Sequence, residues 1–149
     1  MPIREEAEDP SKKRIELRFR RLPGQFAVSR LPPDAAVPAW ALTGRLTSIT
    51  RTGEELSIVC PAENLAADVK SQSPWICFKL EGPFAFSLTG ILASFINPLS
   101  QNGVPIFAIS TFDTDYVLIQ HEFLGAAEGF LRNAGHELLS GKEPDPPFH

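Results

Sequence analysis

Apolar and polar positions follow two rhythms along this chain. Ile15-Glu16-Leu17-Arg18-Phe19-Arg20 alternates with period two, which predicts a half-buried strand with a polar outer face. Gln25–Leu31 predicts a second strand, stopped by Pro32-Pro33. Asp34 can cap a short helical segment over Ala35–Leu42, its length limited by Pro38. Leu46–Thr50 and Leu56–Cys60 predict strands joined by the turn Arg51-Thr52-Gly53-Glu54. Pro61–Ala67 suits a short helix with proline in its first turn, and Trp75–Leu80 predicts a further strand before Glu81-Gly82-Pro83.

The rhythm then changes to a helical one. Ser87 is a suitable N-cap, and Leu88, Ile91, Leu92, Phe95 and Leu99 recur at helical spacing, with a kink or early end expected at Pro98 and a C-cap at Asn102-Gly103. Ile106–Ile109 and Tyr116–Ile119 predict two strands around the turn Ser110-Thr111-Phe112-Asp113-Thr114-Asp115. Phe123, Ala127, Phe130, Leu131 and Ala134 mark one face of a second helix ending at Asn133-Ala134-Gly135, and His136–Leu139 predicts a last strand.

From Trp75 onward the order is strand, helix, strand, strand, helix, strand, and from Gln25 to Leu80 it is the same with shorter helices. Ile49-Thr50 aligns with Ile109-Ser110 and Leu56–Val59 with Tyr116–Ile119, each pair 60 positions apart. Few residues are identical, which predicts a structural repeat rather than a recent duplication. The expected fold is α+β: two ferredoxin-like βαββαβ units, each an antiparallel sheet with both helices on one face. Units of about 60 residues are marginal alone, and pairing their sheets side by side covers exposed edges. The predicted division is a disordered tail over 1–12, a first unit over 13–74, a second over 75–140 and a disordered tail over 141–149. Trp75–Leu80 can close the first unit, open the second, or do both.

Composition narrows the function. The 149 residues are 43% hydrophobic and 21% charged, typical of a globular protein, and the net charge of −4 argues against a general nucleic-acid binder. No apolar stretch approaches the roughly 20 residues that span a bilayer. The acidic start, Met1–Asp9, has no apolar export core, so a cytoplasmic location is expected. Cys60 and Cys77 each lie inside an apolar run, which favours buried thiols over a disulfide, and no metal-ligand spacing joins them to His121, His136 or His149. Neither a metal nor another cofactor is expected.

Three blocks in order, Trp75–Pro83, Ser87–Leu92 and Ile106–Tyr116, resemble the tandem ACT-domain proteins. The second half is similar to the ACT modules of the cytosolic arginine sensor upstream of the TOR kinase and, more distantly, to those of aspartate kinases. The resemblance covers about residues 15–140 and is strongest over 75–120. It implies a regulatory, non-catalytic protein that binds an amino acid or similar small effector where two units meet. It also leaves room for a regulated protein partner and for a homodimer.

Carried over by position, the ligand contacts fall on Glu81, Gly82, Pro83, Thr111, Phe112 and Asp115, with Asp113 and Thr114 beside them. The first half contributes Ile49 and Thr50 from the end of its own strand. Arg51 and Thr52 stand where the second half has Thr111 and Phe112, so an equivalent second site is not expected. Physical chemistry agrees with this placement: free amides at a helix N-terminus favour a carboxylate, and the turn's acids can hold an ammonium or guanidinium. The same residues can serve structure alone, Gly82-Pro83 as a tight turn and the two aspartates as turn formers.

Two other functions use the same residues. Asp113-Thr114-Asp115 looks like a metal-dependent phosphate-transfer D-x-D site, but Val117 stands where such sites carry Thr. Ser110, His121 and Asp115 offer a nucleophile, base and acid with no elbow or oxyanion motif around them. The remaining alternative is a protein-interaction module without a ligand, using the basic strand Ile15–Arg21.

Overall fold

The computed structural model describes residues 15–82 and 90–140. The calls on Pro83, Ser87, Leu88 and both tails lie outside them. The described residues form eight strands and two α-helices, the mixed α+β, ACT-like fold expected from the sequence. The strands are β1 (Arg18–Arg21), β2 (Phe26–Leu31), β3 (Ser48–Arg51), β4 (Leu56–Pro61), β5 (Ser71–Leu80), β6 (Ile106–Ser110), β7 (Asp115–Gln120) and β8 (Glu137–Leu138). The helices are α1 (Ile91–Ser100) and α2 (Leu124–Asn133).

All eight strands share one sheet, with β5 at its centre. β7 pairs along one edge of β5, from Trp75↔Gln120 to Lys79↔Tyr116. The other edge is divided between two strands, β2 over Ser71–Trp75 and β1 over Phe78–Leu80. Leu22 N–H donates to Cys77 O at 2.9 Å and bridges the two pairings. One strand therefore serves both halves. Pro74 lies inside it, where a proline should break the ladder, and the register shows how it is tolerated. The pairing shifts between Phe26↔Trp75 and Val28↔Gln72, so an irregularity coincides with the residue that has no N–H to give.

The two halves carry the same three-stranded order, β2–β4–β3 and β5–β7–β6, each hairpin closed by a four-residue loop. They differ in what covers them. The helical segments expected at Ala35–Leu42 and Pro61–Ala67 are single 3-10 turns, Ala39–Ala41 and Ala62–Asn64. Prolines on the N-terminal side of each turn and the short apolar stretches leave no second turn to propagate. In the second half α1 and α2 pack Phe95, Leu99, Ala127 and Leu131 onto Phe19, Ile76, Phe78, Val117 and Ile119. Phe19 meets Phe78 and Phe95 edge-on, with centroids 5.2 and 5.1 Å apart.

β1 makes this unit differ from a plain βαββαβ sheet. It lies between β5 and β8, antiparallel to one and parallel to the other. The last strand therefore adds to β1 and not to β5. Helix α1 ends as expected at Gly103, whose φ of 75° suits glycine. Val104 N–H donates to Leu99 O at 3.0 Å and Gly103 N–H to Ser100 O at 3.1 Å, a Schellman close that also buries Val104 against Leu99.

The sheet face away from the helices forms a second core. Trp75, Cys77 and Leu118 pack there with Phe26, Leu46 and Val59, beside Phe107 and Ile109. β3 and β6 are five strand spacings apart in sheet order, about 24 Å if the sheet were flat. They nevertheless wall one cavity, so the sheet curls into an open half-barrel. Cys60 and Cys77 are buried thiols, as the sequence suggested. No helix among the described residues is long and apolar enough to cross a membrane.

Candidate functional site

The β6–β7 turn is pre-ordered by its own hydroxyls. Thr111 N–H donates to Thr114 O at 2.8 Å, and the Thr111 hydroxyl donates to the same oxygen at 3.0 Å while accepting Thr114 N–H at 3.3 Å. The Thr114 hydroxyl, buried, donates to Leu80 O at 2.6 Å and ties the turn to the end of β5. Thr111 and Thr114 thus build the site's frame. Phe112 projects from the turn tip, 80% exposed, and Asp113 beside it is exposed.

Ser110 and Asp115 are directly paired across the hairpin, and the Ser110 hydroxyl donates to Asp115 Oδ1 at 2.5 Å. Asp115 shares the alternation of Val117 and Ile119, both under the helices, so this pair lies on the helix side of the sheet. A carboxylate oriented by one hydroxyl can accept further hydrogen bonds from an ammonium group.

Glu81 and Gly82 follow β5 at the same end of the sheet. Glu81 N–H donates to Arg18 O at 2.8 Å, extending the ladder. Its side chain meets the Arg20 guanidinium, with Nε and Oε1 2.5 Å apart. Neither of these two buried atoms makes a hydrogen bond, so they meet as an ion pair. By alternation with Lys79, Glu81 belongs to the face opposite Asp115. The expected set therefore meets at one sheet end but divides between its two sides. The sequence placed Arg20 on the polar outer face of a basic strand and not at this site, because its role depends on β1 being inserted beside β5.

The first-half residues separate in the same way. Ile49 pairs with Ile58 on the side covered by Trp40 and Ala41, whereas Thr50 lies with Ser48, Ser57 and Val59 on the inner face of the half-barrel. Arg51 is occupied structurally. Its guanidinium donates to Pro33 O and, at 2.7 Å, to Ala35 O, holding the chain that crosses this half. Thr52 caps its own turn by accepting the N–H groups of Glu54 and Glu55, each at 3.1 Å.

The hydrolytic constellation does not assemble. His121 follows the last residue of β7 while Asp115 is its first, about 20 Å along an extended strand. Ser110 is hydrogen-bonded to Asp115, with no histidine to activate it. Among the described residues no group of three or more His, Cys, Asp or Glu side chains is placed to hold a metal.

The ACT domain family model matches residues 70–133, and a model for a separate N-terminal domain matches residues 24–68. A solved protein from Agrobacterium tumefaciens is 45% identical, with 87% of this chain and 96% of that one covered and a TM-score of 0.82. The structure of aspartokinase α and β subunits is 19% identical over 82% of this chain and 98% of its own, with a TM-score of 0.56. The regulatory subunit of aspartate kinase from Thermus flavus is 13% identical over 83% and 99%, with a TM-score of 0.53. At these identities the two aspartokinase structures speak to fold alone. No curated protein matches the chain.

Proposed function

The chain belongs to the ACT-domain family, and on that premise we propose that it is a non-catalytic regulatory protein that binds an amino acid or similar small effector. The observation carrying this reading is the Ser110–Asp115 pair: a carboxylate oriented at 2.5 Å by its cross-strand hydroxyl, on a turn locked by Thr111 and Thr114. A hairpin needs no such carboxylate to close. In this reading Asp115 takes the ligand's ammonium, worth about 1.5–3 kcal/mol as a charge-assisted bond, and Phe112 and Asp113 flank it. The ligand's carboxylate meets the chain around Gly82 and Pro83. Glu81 is engaged by Arg20, so it frames the loop and leaves the cationic contact to Asp115.

The protein acts in the cytoplasm through a partner whose activity follows effector binding, and pairing of two copies brings two such units together. A thermal-shift screen of the twenty amino acids tests the reading, since a ligand at 100 times its Kd stabilises by about 2.7 kcal/mol. The expected result is a shift with at least one amino acid that Asp115→Asn abolishes at unchanged basal Tm. No shift from any of them would sink it.

A further inference from the structure

We infer that the gap in the half-barrel, between the open edges of β3 and β6, is a second ligand site that takes a small uncharged molecule bearing amide groups. This cleft borders the Ser110–Asp115 turn, since Ser110 also lines it, but the inference does not depend on the reading given to that turn.

The cleft has a volume of about 300 Å³, at the lower end of the range for small-ligand pockets. Ser48, Thr50 and Ser57 line one side with hydroxyls, and Phe107, Ala108, Ile109 and Ser110 face them from β6 above the Val59 floor. No charged side chain lines it. A net charge moved into this cleft would lose water and meet no counter-charge, whereas a neutral polar group finds hydroxyls that both donate and accept. Phe107 and Ile109 are only half-buried although they face the inner core, so an apolar body can cover them.

A further observation points to amides. Among the described residues β3 pairs only with β4 and β6 only with β7, so each wall of the cleft is a strand with one edge of N–H and C=O groups unpaired. Behind Phe107, Trp75 stands with its ring at 67° and 6.4 Å between centroids. It does not line the cleft itself, so it serves as a nearby reporter of what binds against Phe107. A molecule with an apolar side group flanked by amides answers strand edges, hydroxyls and apolar wall together.

The test uses N-acetyl-L-phenylalaninamide as probe and N-acetyl-L-phenylalanine, its carboxylate counterpart, as control. In a Trp40→Phe variant Trp75 is the sole tryptophan and reports on the cleft by fluorescence, while amide chemical shifts of the wild-type protein map the contact. The probe is expected to change Trp75 emission saturably and to move the amides of Ser57, Val59, Phe107 and Ile109. The carboxylate should bind at least about tenfold more weakly. Thr50→Phe, at an exposed position, should block the probe with an unchanged circular dichroism spectrum. Asp115→Asn, which touches the lining residue Ser110, should weaken probe binding far less than Thr50→Phe, whether or not that variant loses an amino acid. Shifts elsewhere, equal binding of the carboxylate, or no saturable change would each overturn the inference.

Discussion

His136 repairs the helix that Pro98 interrupts. Proline 98 has no N–H for the carbonyl four residues earlier, that of Ser94, and His136 Nε2 lies 2.8 Å from this oxygen. Leu17 N–H donates to Nδ1 of the same ring at 3.1 Å, so Nδ1 is the acceptor and Nε2 carries the proton. One buried imidazole thereby joins α1, the segment leading into β1 and the segment between α2 and β8.

His136→Phe keeps an aromatic ring but leaves two buried backbone groups unanswered, an expected loss of roughly 2–4 kcal/mol. Pro98→Ala restores a donor to Ser94 O. The cost of His136→Phe should therefore fall by about 1 kcal/mol in that background. Urea unfolding of the four proteins measures the coupling, and strict additivity would contradict the account.

The Arg20–Glu81 pair makes a second measurable link, between β1 and the end of β5. The side chains are 18% and 22% exposed, so solvent screens the pair in part. Arg20→Gln and Glu81→Gln should each cost about 1–2 kcal/mol, between exposed and fully buried pairs. The double variant should cost less than the sum by about 1 kcal/mol. A coupling that vanishes at low salt would deny the pair any role in holding β1.

These two links also show where the sequence stopped being legible. Period-two alternation found β1 but began it three residues early, apolar runs placed β2, β4, β6 and β7 to within one residue, and the Gly103 close of α1 was visible in Asn102-Gly103. Alternation carries no record of pairing partners, so the insertion of β1 between β5 and β8 could not be read from it. With β1 unplaced, Arg20 looked like a solvated cation and Glu81 like an available acid. His136 read as a strand residue because its partners lie 42 and 119 positions away. At the turn, Asp115 was identified from local chemistry, but the framing roles of Thr111 and Thr114 depend on the geometry that binds them to each other and to Leu80. The 3-10 turns of the first half were missed because proline-bounded segments look alike whether they complete one turn or two.

Gly44 should tolerate no side chain. Its φ of 127° lies in the region that disfavours L residues, and a Cβ there would run into the Pro61 ring, which is too rigid to move aside. Gly44→Ala should cost roughly 3 kcal/mol, lowering Tm by about 10 °C. Gly53→Ala meets nothing within 4 Å and should change Tm by much less. Calorimetry of the two variants side by side checks the contrast.

Burial, and then the nearby Glu63 carboxylate, push the Cys60 thiol above its ordinary value of 9.0. The folded protein therefore holds this proton more tightly than the unfolded chain. That contribution to stability is complete below pH 9, the unfolded value, and is lost as pH rises through the higher folded value. Cys60→Ala should flatten the alkaline limb of a stability-against-pH curve while leaving its slope at neutral pH unchanged. The thiol should also react with a maleimide far more slowly in the folded protein than in urea, because a protonated, buried sulfur is a poor nucleophile. Fast labelling at neutral pH under native conditions would show that β4 opens at Cys60 more readily than its place in the core allows.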